Sequence, residues 1–290
     1  MSKVWFVTGA ASGLGAGIAR AALDAGDMVV AADIDTVRLA AAYGGSDDRV
    51  LASNLDIRDP LQAEAAVNAA VGRFGRIDIL VNNAGYGQFG PFEEIAPAAA
   101  ERQFATNVFG TFNVTRAVLP TMRSQRSGHV INMSSNGGFK GVSGASMYSA
   151  SKFAIEGFSE ALALEVAGFG IRLTIVEPGA FRTDFLDDRA LKQGDISIDD
   201  YSEFRARANA VFAQRNHRQV GDPAKLGEAL VHLAAQADPP LRFVAGADAL
   251  AIVTQKIRSV TEEVERWRTL SASTDFSDTS SPGSTTDEQR

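Results

Sequence analysis

The sequence predicts an α/β protein: one doubly wound parallel sheet of seven strands with helices on both faces. Three observations predict it. Seven short β-rich runs alternate with longer alanine-rich stretches of helical pattern, the signature of repeated βαβ units. The runs show little alternation of apolar and polar residues, as expected where helices cover both faces of a strand. A glycine-rich segment follows directly on the first run and opens a helix, the position at which such folds bring backbone N–H groups to a ligand.

The elements follow in order. Lys3–Thr8 is an apolar run ending in glycines and reads as the first strand. Met28–Ala32, Val50–Ser53, Ile79–Asn82, His129–Met133, Arg172–Val176 and Leu241–Val244 repeat its character. The intervening helices are expected at Leu14–Ala25, Leu61–Phe74, Ala98–Met122, Met147–Gly168, Ala224–Ala237 and Asp248–Thr269. The 290 residues allow two domains by length, but this single rhythm favours one, over residues 1–270. Between Pro178 and Asp222 the rhythm stops for a stretch too long for a plain connection, with scattered aromatics. Residues 182–220 are therefore expected to form a partly helical insertion or lid. Residues 271–290 are almost wholly polar and are expected to be a disordered tail.

Composition excludes several functions. Lys and Arg total 28 against 35 Asp and Glu, and a net charge of −7 repels a phosphate backbone, so no nucleic-acid partner is expected. The chain has no cysteine, which rules out disulfides, thiolate metal sites and cysteine nucleophiles. His129, His217 and His232 are too scattered for a local metal motif, so no metal is expected. No signal-type N-terminus and no apolar run of about 18 residues is present, so neither export nor a membrane span is expected. A cytoplasmic location is the expectation.

The first turn reads Thr8-Gly9-Ala10-Ala11-Ser12-Gly13-Leu14-Gly15. Side chains here would hold a pyrophosphate away from the backbone N–H groups and the positive end of the helix. Asp33 ends the second strand about twenty residues further on, where a carboxylate accepts from ribose hydroxyls and repels a 2′-phosphate. Neither Ser12 nor Ile34 supplies a cation for such a phosphate. Arg38 is the one nearby residue that could, although Asp33 and Asp35 are placed to pair with it.

At the other end of the chemistry, Tyr148 and Lys152 open a helix at i,i+4 spacing and so share a face. A phenol has a pKa of about 10, and a neighbouring ammonium together with an oxidised nicotinamide is expected to lower it and make it a usable acid–base group. Ser135 closes the fifth strand at the carboxyl edge of the sheet, where its hydroxyl can polarise a carbonyl; Ser134 is the alternative.

These motifs, TGAASGLG, Asn82-Asn83-Ala84-Gly85 and Tyr148-x-x-x-Lys152, resemble in order and spacing the classical short-chain dehydrogenase/reductase family over about residues 3–250. The ending GDPAKLGEALVHLAAQADPPLRFVAGADA is most similar to its 17β-hydroxysteroid-dehydrogenase-like branch. The resemblance implies a single Rossmann-type domain that transfers hydride between nicotinamide and a secondary alcohol or ketone. It implies Asn107, Ser135, Tyr148 and Lys152 as the catalytic set, with the Asn107 main chain binding a water of the proton relay, and it favours Ser135 over Ser134. For NAD, preferred over NADP, it implies a site made of Thr8, Gly9, Ser12, Gly13, Leu14, Gly15, Asp33, Asp56, Ile57, Asn83, Ala84, Gly85, Tyr148, Lys152, Pro178, Gly179, Phe181 and Thr183. Asn82 would brace the sheet. Two other readings stand beside it: a nucleotide-sugar epimerase or dehydratase, disfavoured by the glycine spacing and the small C-terminal part, and a nicotinamide-sensing binding protein. The aromatics Tyr86, Phe89, Phe92, Phe139, Phe181 and Phe185, with Met147, suit a medium or bulky apolar substrate. The surplus apolar content of the helices at Ala98–Met122 and Met147–Gly168, including Phe104, Phe109, Phe112, Phe153, Phe158, Leu162 and Leu164, predicts a homodimer or homotetramer.

Overall fold

A computed structural model describes residues 2–45, 47–187 and 190–276. The chain alternates strand and helix: β1 (Val4–Thr8), α1 (Gly13–Asp24), β2 (Met28–Asp33), α2 (Thr36–Tyr43), β3 (Val50–Asn54), α3 (Pro60–Phe74) and β4 (Ile79–Asn82). After a two-residue strand β5 (Gly87–Gln88) come α4 (Pro97–Phe104), α5 (Thr111–Gln125), β6 (Gly128–Met133), the short α6 (Asn136–Phe139), α7 (Ser146–Val166) and β7 (Ile171–Pro178). The last part holds β8 (Leu191–Lys192), α8 (Ser202–Arg215), α9 (Pro223–Ala234), β9 (Arg242–Ala245) and α10 (Ala247–Ala272). Seven strands pair in parallel in the order β3-β2-β1-β4-β6-β7-β9, as the alternation predicts.

Neighbouring residues of β1 supply opposite cores. Val4 and Phe6 join one cluster with α3, α5 and α7, while Trp5 and Val7 join another with α1 and α9. Both faces being buried, Val4 to Val7 are all apolar, which explains the missing alternation. Each such large side chain contributes about 1.5–3 kcal/mol by leaving water. Helix starts are encoded locally: Asp35 caps α2 by accepting from the Arg38 N–H, Asp59 caps α3 ahead of Pro60, and Asp222 caps α9 ahead of Pro223.

Four details depart from the sequence reading. An eight-residue helix, α2, fills the connection that was left without an element, with Leu39 its one buried residue. The single helix expected at Ala98–Met122 is two helices joined by a π-helical turn, Ala105–Gly110. The insertion carries β8 and α8, and β8 pairs with β5 in a separate two-stranded sheet. Helix α10 runs through Ala272, beyond the expected boundary at Ser271, and the rest of the expected tail from Ser277 lies outside the described residues. Among the described residues no helix is long and apolar enough to cross a membrane.

One buried group makes stability depend on pH. His129 on β6 is buried, its Nε2 2.8 Å from Thr174 Oγ1, which itself donates to the Pro240 carbonyl. Burial, with help from Lys3 and Arg172, pushes its pKa down from 6.5 to about 4. Between these values the unfolded chain binds a proton that the folded chain does not, so folding stability falls as pH drops through this window. The loss approaches about 3 kcal/mol at the acid end. Thermal melts across the window should show this slope in the wild type and a flatter one in His129→Gln.

Candidate active site

Strand order reverses between β1 and β4, which opens a crevice at the carboxyl edge of the sheet where α/β proteins take ligands. The glycine turn after β1 forms one wall. Gly9 and Gly13 hold φ of +65° and +57°, and a Cβ on Gly15 would lie 2.1 Å from the Gly9 carbonyl oxygen, so no side chain fits. Neighbouring loops hold the turn. The Asn83 side-chain amide donates to the carbonyls of Thr8 (3.0 Å) and Gly9 (3.2 Å), and Thr8 Oγ1 accepts from the N–H groups of Asn83 and Ala84. The Tyr43 hydroxyl donates to the Ala10 carbonyl from α2, and its burial pushes the phenol up to about 12.

Asp33 has a structural task that sequence reasoning missed. One of its oxygens accepts from the Ala11 N–H and the other from the Asp35 N–H, both at 2.9 Å. A carboxylate offers about four acceptor sites, so each oxygen keeps one. Arg38 lies 3.4 Å from Asp184 and 3.8 Å from Asp35. Asp35 was legible as a partner; Asp184, from the insertion, was not. Asp56, after β3, is paired with Arg58, which holds its carboxyl below the usual range. Ile57 is buried beside Gly110, where any Cβ would strike it.

Ser135, Tyr148 and Lys152 gather across the same crevice. Ser135 lies two residues beyond β6 in extended backbone, rather than closing the strand as expected, and caps α6, its Oγ accepting from the Gly137 N–H at 3.0 Å. The Ser135 hydroxyl acts on the Tyr148 phenol to lower its pKa, but burial dominates and the phenol is raised. The Lys152 ammonium does not offset this burial. The reason is geometric: the Lys152 ammonium donates to the Met133 carbonyl at 2.7 Å and lies 5.9 Å from the centre of the Tyr148 ring. Burial also brings Lys152 down to about 8, opposed by Glu156 one turn further along α7. Ser134 is buried beside Glu156.

Asn107 sits in the π-helical turn, its side chain bonded to both backbone groups of Tyr86 and to Ser151 Oγ. Its main-chain carbonyl accepts from Thr111 Oγ1 at 3.0 Å. Asn82 bonds Thr115 and Asn132, tying β4 to α5 and β6.

Beyond Pro178, Gly179 has no room for a side chain because Asp248 Oδ1 lies 2.1 Å from where its Cβ would be. Thr183 caps the next turn and stands 3.6 Å from the Cβ position of Gly13, so the insertion closes over the glycine turn. Phe89 stacks on Tyr148 with ring centres 5.4 Å apart, Phe185 lies 5.9 Å from the same ring, and Phe212 from α8 packs edge-on to Phe89. Of the other aromatics expected here, Phe181 packs against the core, Phe139 lies under Arg242 and Phe92 is exposed.

Long-range pairing assembled two further groups that the sequence hid. Arg242 of β9 reaches the fully buried Glu177 of β7 (3.2 Å) and Glu156 of α7 (3.4 Å), and burial raises both carboxyls, Glu156 to about 7. In the insertion, His217 meets Asp184 and Asp187, with ligand atoms within 4.8 Å of one another.

Comparison with known proteins agrees with this geometry. The short chain dehydrogenase family model matches residues 3–194. Oxidoreductase BOA17 of Botryotinia fuckeliana is 36% identical over 278 residues, 93% of this chain and 98% of its own. A 3-ketodihydrosphingosine reductase of Bacteroides thetaiotaomicron is 36% identical over 244 residues, 84% of this chain and 88% of its own. Among solved structures, a short-chain dehydrogenase from Streptomyces avermitilis superposes with a TM-score of 0.85 at 41% identity, covering 95% of this chain and all of that one. The protein belongs to the short-chain dehydrogenase family, as an oxidoreductase with that family's seven-stranded fold.

Proposed function

We propose that the chain transfers hydride reversibly between NAD and a secondary alcohol or ketone of medium or bulky apolar character. The carrying observation is the convergence of Ser135, Tyr148 and Lys152 at the sheet edge, facing a glycine turn with no space for side chains. When bound, the nicotinamide supplies the hydride acceptor or donor. The chain does the rest. The N–H groups of the Thr8–Gly15 turn and the start of α1 take the pyrophosphate, and Asp33 accepts from the adenosine ribose with its remaining lone pairs. Asp56, Ile57 and Asn83–Gly85 wall the adenine side, while Pro178, Gly179, Phe181 and Thr183 wall the nicotinamide side.

Tyr148 removes the hydroxyl proton in oxidation and returns it in reduction, Ser135 orients the substrate oxygen, and Lys152 holds the nicotinamide ribose. The Asn107 carbonyl holds a water that carries the proton onward. The burial that raises the phenol keeps it protonated, which suits the reduction direction, and positive charge arriving beside it favours release. No metal takes part.

Phe89 and Phe185 against Tyr148 support the apolar substrate, as does likeness to a reductase whose name specifies a sphingoid ketone. The C-terminal likeness to the 17β-hydroxysteroid-dehydrogenase-like branch points the same way. A cytoplasmic homodimer or homotetramer completes the proposal. Phe109, Phe153 and Leu164 stand exposed on the helical faces expected to meet, whereas Leu162 belongs to the core. The test is a panel of alcohols and ketones graded in size and polarity, read at the nicotinamide absorbance with both cofactors. Bulky apolar ketones should be reduced with the highest kcat/KM. A best substrate that is small and polar, or turnover of a nucleotide sugar alone, would overturn the reading.

A further inference from the structure

The face of α10 that anchors the helix to the body continues long after the body ends. Leu250, Val253, Ile257, Val260, Val264 and Trp267 follow one another at intervals of three, four, three, four and three, the repeat of a helix-pairing seam. Near the root, Ala249 and Val253 are buried where the helix packs on β9 and α6. From Ile257 to Phe276 every residue is exposed, with Ile257 53%, Val264 58% and Trp267 54% accessible. An unsupported helix of this length is marginal in water, and Val, Thr, Ser and Trp are poor helix formers. The seam calls for a cover.

We infer that this cover is the same segment of a second copy of the chain, lying antiparallel across a two-fold axis. Four arguments select it. Residues 277–290 contain no large apolar side chain, so this stretch has nothing with which to fill the seam. A lipid surface fits poorly, because interfacial helices carry a basic polar face, whereas here Arg258, Arg266 and Arg268 are interspersed with Glu262, Glu263 and Glu265. A parallel mate is blocked, because the body occupies the seam side of each helix at its root. Antiparallel, residues 257–267 of the two copies overlap and the bodies stand at opposite ends. Centred between Val260 and Val264, this arrangement sets Val260 of one protomer level with Val264 of its partner, and Ile257 level with Trp267. Such a contact satisfies both seams at once, as a two-fold interface must. A few large side chains per copy fall short of the roughly 800 Å² per partner of a stable independent interface. The contact therefore acts alongside a second interface, joining dimers into a tetramer when the α5 and α7 faces also pair.

The natural absence of cysteine makes the test clean. In the full-length protein, the double variant Val260→Cys/Val264→Cys should form an intermolecular disulfide on mild oxidation, and Val260→Cys alone should not. Val264→Glu, an exposed position far from the glycine turn in sequence, should lower the mass by light scattering at micromolar concentration by one step of assembly. Activity should stay as in the wild type, and any loss of helix signal in circular dichroism should not exceed the free end of α10. The inference is overturned if Val264→Glu leaves the mass unchanged. It is equally overturned if Val260→Cys alone cross-links as well as the pair, which marks a parallel mate. Co-sedimentation of the wild type with anionic phospholipid vesicles, lost in Val264→Glu without a change of mass, would assign the seam to a membrane and overturn it too.

Discussion

Replacing Tyr148 by phenylalanine is expected to lower turnover about a thousandfold or more while leaving NADH affinity within about twofold, in line with the usual 10²–10⁴-fold worth of a positioned acid–base group. The substitution removes one oxygen. The ring stays between Phe89 and Phe185 and above Lys152, so packing and the shape of the site survive. The lost oxygen is the one on which the Ser135 hydroxyl acts. Burial holds the wild-type phenol above its ordinary value, so alcohol oxidation, which needs the phenolate, should accelerate as pH rises. The variant should lose this limb altogether. Lys152→Ala should behave differently and damage both turnover and NADH binding, because the lysine is proposed to hold the ribose as well as to charge the site. NADH fluorescence titration and steady-state rates across pH distinguish the two variants. A Tyr148→Phe enzyme retaining a tenth of its turnover with an unchanged pH profile would remove Tyr148 from the mechanism.

What could be read in advance follows the range of the forces involved. The strands were legible because burial on both faces favours consecutive apolar residues, as in Val4 to Val7 and Ile79 to Val81, a signal carried by each segment alone. The glycine turn was legible for the same reason, since positive φ at Gly9 and Gly13 and the contact at Gly15 are demands of a few consecutive residues. Helix α2 escaped because one buried leucine in eight residues leaves no periodicity to detect. The π-helical turn escaped as well. It widens the helix where Gly110 meets Ile57 and where Asn107 reaches Tyr86, contacts that join distant parts of the chain. The same holds for Arg242 with Glu156 and Glu177, which three separate elements bring together. Asn107 itself was found through resemblance; its bonds to Tyr86 and Ser151 supply the physical reason for the residue. For Tyr148 and Lys152, spacing reports that two side chains share a face, whereas burial and the true aim of the ammonium depend on everything packed around them.

Removing the charge at Asp33 should convert a preference for NAD of about a hundredfold into near-equal use of both cofactors. A 2′-phosphate about 4 Å from a carboxylate is repelled by roughly 4 kcal/mol per unit charge at an effective dielectric near 20, an upper figure that solvent reduces. Half of it already corresponds to more than a tenfold discrimination. Cations that could cancel the effect are few here. Ile34 is exposed and uncharged, and Arg38 is drawn towards Asp35 and Asp184. The choice of variant matters, because the carboxylate also accepts from Ala11 and Asp35 and so shapes the glycine turn. Asp33→Ala leaves both N–H groups without their partner and should weaken binding of either cofactor. Asp33→Asn keeps one acceptor without the charge, so its gain in NADP use should come with a smaller loss for NAD. The reading is the ratio of kcat/KM for the two cofactors in all three proteins. Equal use by the wild type, or an unchanged ratio in both variants, would show that Asp33 shapes the turn without choosing the cofactor.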